Sequence, residues 1–195
     1  MRVACVVLAA GASRRLGRAK QLARVRGEPL VRRAARAALE AGCAPVFVVT
    51  GARAAAVEAA LAGIPVACVR NAAHAEGLAS SIRAGVAAVA DTTPLCDGVL
   101  VALVDQPAAG AALLRALRAR FEAALGARIV ACAYAGALGA PAVFPRALFR
   151  ELAALRGDRG AKAILEARGE EVIAVPFADG ARDVDTEEDA AQLDD

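Results

Sequence analysis

A chain of 195 residues suits one domain with a core of its own, and its 24 Lys and Arg against 21 Asp and Glu leave only a weak positive balance. Aromatic residues are 3% of the chain, which argues against a dedicated nucleic-acid binder that needs stacking platforms on a basic face. Alanine supplies much of the 58% hydrophobic fraction, no apolar run reaches the roughly 18 to 20 residues of a spanning helix, and MRVACVVLAAG is too soon interrupted for a signal peptide, so a cytoplasmic protein with no membrane partner is expected.

The first strand pattern, residues 3–8, is wholly apolar and runs into LAAGASRRLGRAKQL, where two glycines and small residues sit among Arg14, Arg15, Arg18 and Lys20. A dinucleotide fingerprint needs G-x-G-x-x-G, but Ala12 and Ser13 follow Gly11. A P-loop needs four residues between its glycines and then Lys-Ser/Thr, whereas five separate Gly11 from Gly17 and Arg18 follows. What remains is L-A-A-G-x-S-x-R-L-G-x-x-K. In it Ala9, Ala10 and Gly11 let backbone N–H groups approach an anionic ligand and Arg15 and Lys20 neutralise its charge, or the stretch is only a solvated basic turn.

Helical patterns at 29–40, 53–62 and 78–90 alternate with strand patterns at 45–50 and 65–69. Gly77 can bring backbone close to a ligand. Ser80 and Ser81, on the first turn of the helix that follows, offer hydroxyls and free N–H groups to a base or ribose, or serve only as caps. His74, the only histidine, reads as a surface or pocket-edge residue rather than a base.

The strand pattern at 98–104 ends in LVDQP, where Pro107 blocks continuation and Asp105 projects over the carboxyl edge. Mg²⁺ takes such a hard oxygen, shared with phosphates and waters, or Asp105 is only a turn aspartate satisfying nearby amides. A helix at 111–125 and a strand at 128–134 precede Gly139, Ala140 and Pro141. In RGDRGAKAIL, Gly157 and Gly160 frame Asp158 and Arg159, and Lys162 follows on a helix spanning 161–168: an anionic acceptor site, or a surface turn with a cap. After a strand at 171–175 comes DVDTEED, in which Thr186 and Asp189 resemble a capping box and leave Asp183 and Asp185 unexplained. The five cysteines, an odd number with no CxxC pair, read as buried, reduced thiols, with Cys5, Cys68 and Cys132 in strand patterns, rather than as metal ligands or a disulfide framework.

Short buried strands alternating with helices predict an α/β fold, a doubly wound, mostly parallel sheet with right-handed crossovers, in a single domain over residues 1–195. Ligands of such sheets bind beyond the carboxyl ends of the strands, where the strand order reverses.

Together with RNAAHAEGLASSIRAGV, GALGAPAVFPRALF and RGDRGAKAIL, these motifs resemble the molybdenum-cofactor cytidylyltransferase and guanylyltransferase group of nucleotidyltransferases over nearly the whole chain. The resemblance implies a three-layer Rossmann-like nucleotidyltransferase fold and transfer of CMP from CTP to a phosphorylated acceptor, molybdopterin, with release of pyrophosphate. It implies catalytic roles for Arg15, Lys20 and Asp105, and nucleotide binding by Leu8, Ala9, Ala10, Gly11, Gly77, Ser80 and Ser81. It further implies acceptor binding by Gly139, Ala140, Pro141, Asp158, Arg159 and Lys162, a Mg²⁺ held by Asp105 and Asp185, and a molybdenum enzyme or its maturation factor as partner. The paired alanines favour CTP, since guanylyl-transferring relatives tend to carry LAGG. Many relatives read G-x-x-G-H/N-P where this chain has Ala140, so one hydrogen bond to the acceptor is missing. Other acceptors (methylerythritol phosphate, a sugar phosphate), guanylyl transfer, an NAD(P)H-dependent oxidoreductase and a non-catalytic cofactor carrier are the alternatives.

Overall fold

The computed structural model describes residues 1–11 and 19–181. Strand β1 (Val3–Ala9) is buried at every position, as a strand covered by helices on both faces must be. A 3-10 turn at Lys20–Leu22 leads to a hairpin of β2 (Arg24–Val25) and β3 (Glu28–Pro29), whose two-residue loop holds both Arg26 and Gly27 at positive φ, the geometry that matches hairpin twist. Helix α1 (Leu30–Glu40) then turns Leu30, Val31, Ala35 and Ala38 inward and its arginines outward.

There follow β4 (Val46–Thr50), α2 (Ala54–Ala60), β5 (Ala67–Arg70), α3 (Leu78–Ala90), β6 (Gly98–Leu103) and α4 (Ala111–Ala123). The chain continues through β7 (Val130–Tyr134), β8 (Ala137–Pro145), α5 (Phe149–Ala153), α6 (Lys162–Ala167) and β9 (Ile173–Pro176). Seven strands form one sheet in the order β5-β4-β1-β6-β8-β7-β9. The β8 pairings with β6 and β7 are antiparallel and all others in this sheet parallel, so six strands share a direction and β8 opposes them.

Alternate residues of β1 feed two apolar clusters. Val3, Cys5 and Val7 pack with Leu30, Leu114, Leu117 and Phe121 on one face. On the other, Ala4, Val6 and Leu8 pack with Ile82, Val86, Phe149, Leu152 and Leu165. The period of two places one helix layer on each side, giving the three-layer α/β arrangement.

The alternation of strand and helix fails at β8, for which no strand is expected from the sequence. Pro141 lacks the N–H that a central strand requires, which argues locally against one. The structure solves this with an irregularity: Ala131 pairs with Ala142 and Cys132 with Gly139, so Ala140 and Pro141 are left out of register. Helix α5 and the β2/β3 hairpin are the other elements absent from the sequence reading.

Candidate functional site

After β1 the chain moves to β4 on one side and only later to β6 on the other, so the order reverses beside β1. There Leu8 lies opposite Leu103, and the loops leaving both strands share one edge of the sheet. The ammonium of Lys20, entering on the 3-10 turn, donates to Asp105 Oδ2 at 2.9 Å. This pair joins residues 85 apart in sequence, with side chains only 13% and 27% exposed. Gln21 anchors the turn by donating from Nε2 to the Gly11 carbonyl at 2.6 Å.

Among the described residues, four buried oxygens at this edge have no hydrogen-bond partner: Asp105 Oδ1, the neighbouring Gln106 Oε1, Gln21 Oε1 and the Thr50 hydroxyl at the end of β4. Unpaired acceptors are costly in a core and natural in a site that takes a polar ligand. The free Asp105 Oδ1 fits a hard divalent cation, which needs one or two carboxylates and takes its other ligands from phosphates and water. Among the described residues no cluster of three His, Cys, Asp or Glu could hold a metal by itself.

Ala9 and Ala10 are buried and Gly11 is exposed, so the backbone of the loop emerges at Gly11. Across from it, a Cβ on Gly51 would strike the Ala10 carbonyl and come within 2.9 Å of the His74 Cβ, so three chain segments meet here with no room for a side chain. His74 is half-buried on this rim. The buried Asn71 follows β5, donating from Nδ2 to Ser80 Oγ at 2.8 Å and Ser81 Oγ at 3.1 Å and accepting from the Ala73 N–H at 3.0 Å. Ser80 Oγ also donates to the Gly77 carbonyl at 2.8 Å. Both serine hydroxyls thus tie the start of α3 to the end of β5.

Because β8 runs opposite to its neighbours, its first residues lie at the carboxyl edge of the others. Leu8, Leu103, Leu138, Gly139 and Ala140 accordingly line one cleft of about 200 Å³, with Arg159 and Lys162 also contributing. The wall is mostly apolar. Arg159 pairs with Glu166 at 2.5 Å and Lys162 approaches the same carboxylate at 3.9 Å, both exposed. Pro141 and Asp158 lie outside this lining. The Asp158 carboxylate instead sits against Gly77, where a Cβ would collide with it, and the Gly157 carbonyl accepts from the Ala79 N–H at 3.0 Å. Cys132, opposite Gly139, is pushed up to about 12 by burial.

Arg15 and Asp185 lie outside the described residues, as do Arg14, Arg18 and Asp183. All five thiols are free, and four are buried as expected, but Cys68 is exposed because β5 is an edge strand; Cys5 and Cys43 share a hydrogen bond in the core that, with burial, raises Cys5 well above the usual thiol range. Asn71, Gln21 and Gly51 are the edge residues that the sequence reading passes over. Gln21 is adjacent to Lys20, and Asn71 opens the RNAAHAEG segment, so position beside a motif is the signal that could have found them.

The family profile of the MobA-like NTP transferase domain matches residues 5–172. Among solved structures, Rv0371c from Mycobacterium tuberculosis H37Rv is 32% identical at a TM-score of 0.82, covering 100% of this chain and 98% of that one. The same protein has been solved with manganese. A nucleotidyl transferase from Methanothermobacter thermautotroptrophicus is 26% identical at a TM-score of 0.80, covering 98% of this chain and 95% of that one. The nicotine blue oxidoreductase of Paenarthrobacter nicotinovorans is 48% identical over 103 residues, which are 52% of this chain and 48% of that protein. The chain therefore spans about half the length of this curated relative.

Proposed function

The chain belongs to the family of MobA-like NTP transferase domains, and from that premise we propose that it transfers CMP from CTP to a phosphorylated acceptor, molybdopterin, releasing pyrophosphate. The observation that carries this reading is the Lys20–Asp105 pair at the strand-order reversal, beside an apolar cleft with cations at its border.

In this reaction an acceptor phosphate oxygen attacks the α-phosphorus of CTP, a new P–O bond forms, and the bond to the bridging oxygen breaks as pyrophosphate leaves. Positioning and charge neutralisation suffice, without a nucleophilic side chain. Backbone at Ala9, Ala10 and Gly11 approaches the triphosphate. Lys20, with Arg15, draws on the charge of the leaving pyrophosphate. Asp105, with Asp185, would hold Mg²⁺, which when bound supplies neutralisation of the reacting phosphates. Leu8, Gly139 and Ala140 give the acceptor an apolar bed that excludes water, and Lys162 and Arg159 meet its anionic end. A molybdenum enzyme or its maturation factor would receive the product.

Pyrophosphate release from CTP that requires both molybdopterin and Mg²⁺ is the expected result. Turnover with GTP but not CTP would overturn the choice of base, and turnover only with methylerythritol phosphate or a sugar phosphate would overturn the acceptor. The similarity to nicotine blue oxidoreductase favours a second reading, an NAD(P)H-dependent reductase on the same fold. NAD(P)H oxidation followed by absorbance, with no pyrophosphate release from any triphosphate, would select it.

A further inference from the structure

Gln106 takes no part in the chemistry above, yet it directly follows Asp105 and is only 4% exposed. Its Nε2 donates to the Gly180 carbonyl at 3.0 Å and to the Tyr134 hydroxyl at 3.3 Å. Tyr134 ends β7 and stands edge-on to Phe177, with centroids 6.0 Å apart and planes at 86°. Two glycines close on this ring. A Cβ at Gly139 would collide with its hydroxyl, and one at Gly180 with the ring carbons.

These contacts link three parts of the molecule. Tyr134 and Gly139 both line the acceptor cleft. Gly180 belongs to the turn Ala178–Ala181, from which the sequence runs on to Asp183 and Asp185. Gln106 stands in the loop that carries Asp105; the start of that loop is tied by Val104 N–H to the Leu8 carbonyl at 3.4 Å, and Ala109 N–H to the Gln106 carbonyl at 2.9 Å closes a turn within it. Pinning the neighbouring side chain at two further points restricts rotation of the loop, and with it the direction of the Asp105 carboxylate. An apolar residue would fill position 106 as well but could make neither bond.

We infer that Gln106 is a positioning residue: its carboxamide clamps Tyr134 and the C-terminal turn onto the Asp105 loop, so that the metal-facing carboxylate and the cleft floor hold one arrangement. The inference rests on the nucleotidyl-transfer reading, which takes Asp105 as that carboxylate. Gln106 does not touch the Asp105 carboxylate and acts on it through the loop; where outer partners bond a metal ligand directly, their loss typically weakens metal binding about 10- to 100-fold, and an effect of that size is expected here.

The chain has one tyrosine and no tryptophan, so its tyrosine emission reports on this cluster alone. The experiment titrates Mn²⁺, with and without pyrophosphate, into the full chain, Gln106→Leu and the near-isosteric Gln106→Glu. It counts free Mn²⁺ by electron paramagnetic resonance while recording tyrosine emission and melting temperature. The expected result is pyrophosphate-assisted Mn²⁺ binding by the unmodified chain, accompanied by a change in emission. In both variants the affinity falls about 10-fold or more and the emission response is lost. Affinities within about two-fold of the unmodified chain, with the emission response intact, would overturn the role of Gln106 whatever the melting temperature does. If the unmodified chain binds no Mn²⁺ even with pyrophosphate, the nucleotidyl-transfer reading itself is overturned, and this inference with it.

Discussion

Asp105 and Lys20 come from distant parts of the chain and meet at 2.9 Å, each mostly covered. Asp105→Asn preserves size and an oxygen for Lys20 but removes the negative charge that a cation requires, so the loss should fall on turnover. The expected outcome is a fall of about 10²-fold or more in pyrophosphate release, with little change in melting temperature. Near-normal rates would sink the metal assignment. Cys132 permits a prediction about pH. Its folded-state pKa is raised from 9.0 to about 12 by burial, so the unfolded chain releases a thiol proton that the folded chain retains. The stability this provides is complete below about pH 9 and is lost as pH rises toward 12, at about 1.4 kcal/mol per pH unit. Cys132→Ala should flatten the alkaline limb of a stability-versus-pH curve by one proton. At this scale LVDQP and the GxxK spacing are legible because strand ends and charges can be seen in sequence. Asn71 and Gln106 are not, since a carboxamide in a loop reads as a turn residue until distant segments bury it.

Among the elements, α3 and β8 make the sharpest tests of packing. Gly85 lies within α3, where alanine would ordinarily favour the helix by about 1 kcal/mol. A Cβ there would collide with the Val6 side chain on β1. Overpacking typically costs about 1–3 kcal/mol and should win. Gly85→Ala is therefore expected to lower the denaturant midpoint, and a rise would show that the helix and sheet can separate freely. Gly139→Ala should disturb Tyr134 in the same way, altering its emission. The helix at 78–90 and the strand at 98–104 are read nearly to the residue, since the glycine that precedes the helix and the continuous apolar run of the strand are local features. β8 is missed because Pro141 speaks against a strand locally, and only pairing on both sides outweighs it.

For the whole molecule, ligand binding to the native state alone should raise its melting temperature by mass action. With CTP and Mg²⁺ at about 100 times the dissociation constant, the gain is about 2.7 kcal/mol. For a domain of this size that corresponds to a rise of about 5–10 °C. A calorimetric scan checks it, and equal shifts with all four triphosphates would overturn the base preference. Composition and periodicity by themselves determine the class of fold and the direction of most strands, because burial patterns and glycine spacing are written locally. Which residues stand together is decided only by the tertiary structure. The reversal of strand order beside β1 brings Lys20 to Asp105, the opposed direction of β8 turns Gly139 into a cleft wall, and the closure of β7 and the C-terminal turn buries Gln106. Each is a contact between segments far apart in the chain, formed because the sheet must cover both faces, and no local pattern records it.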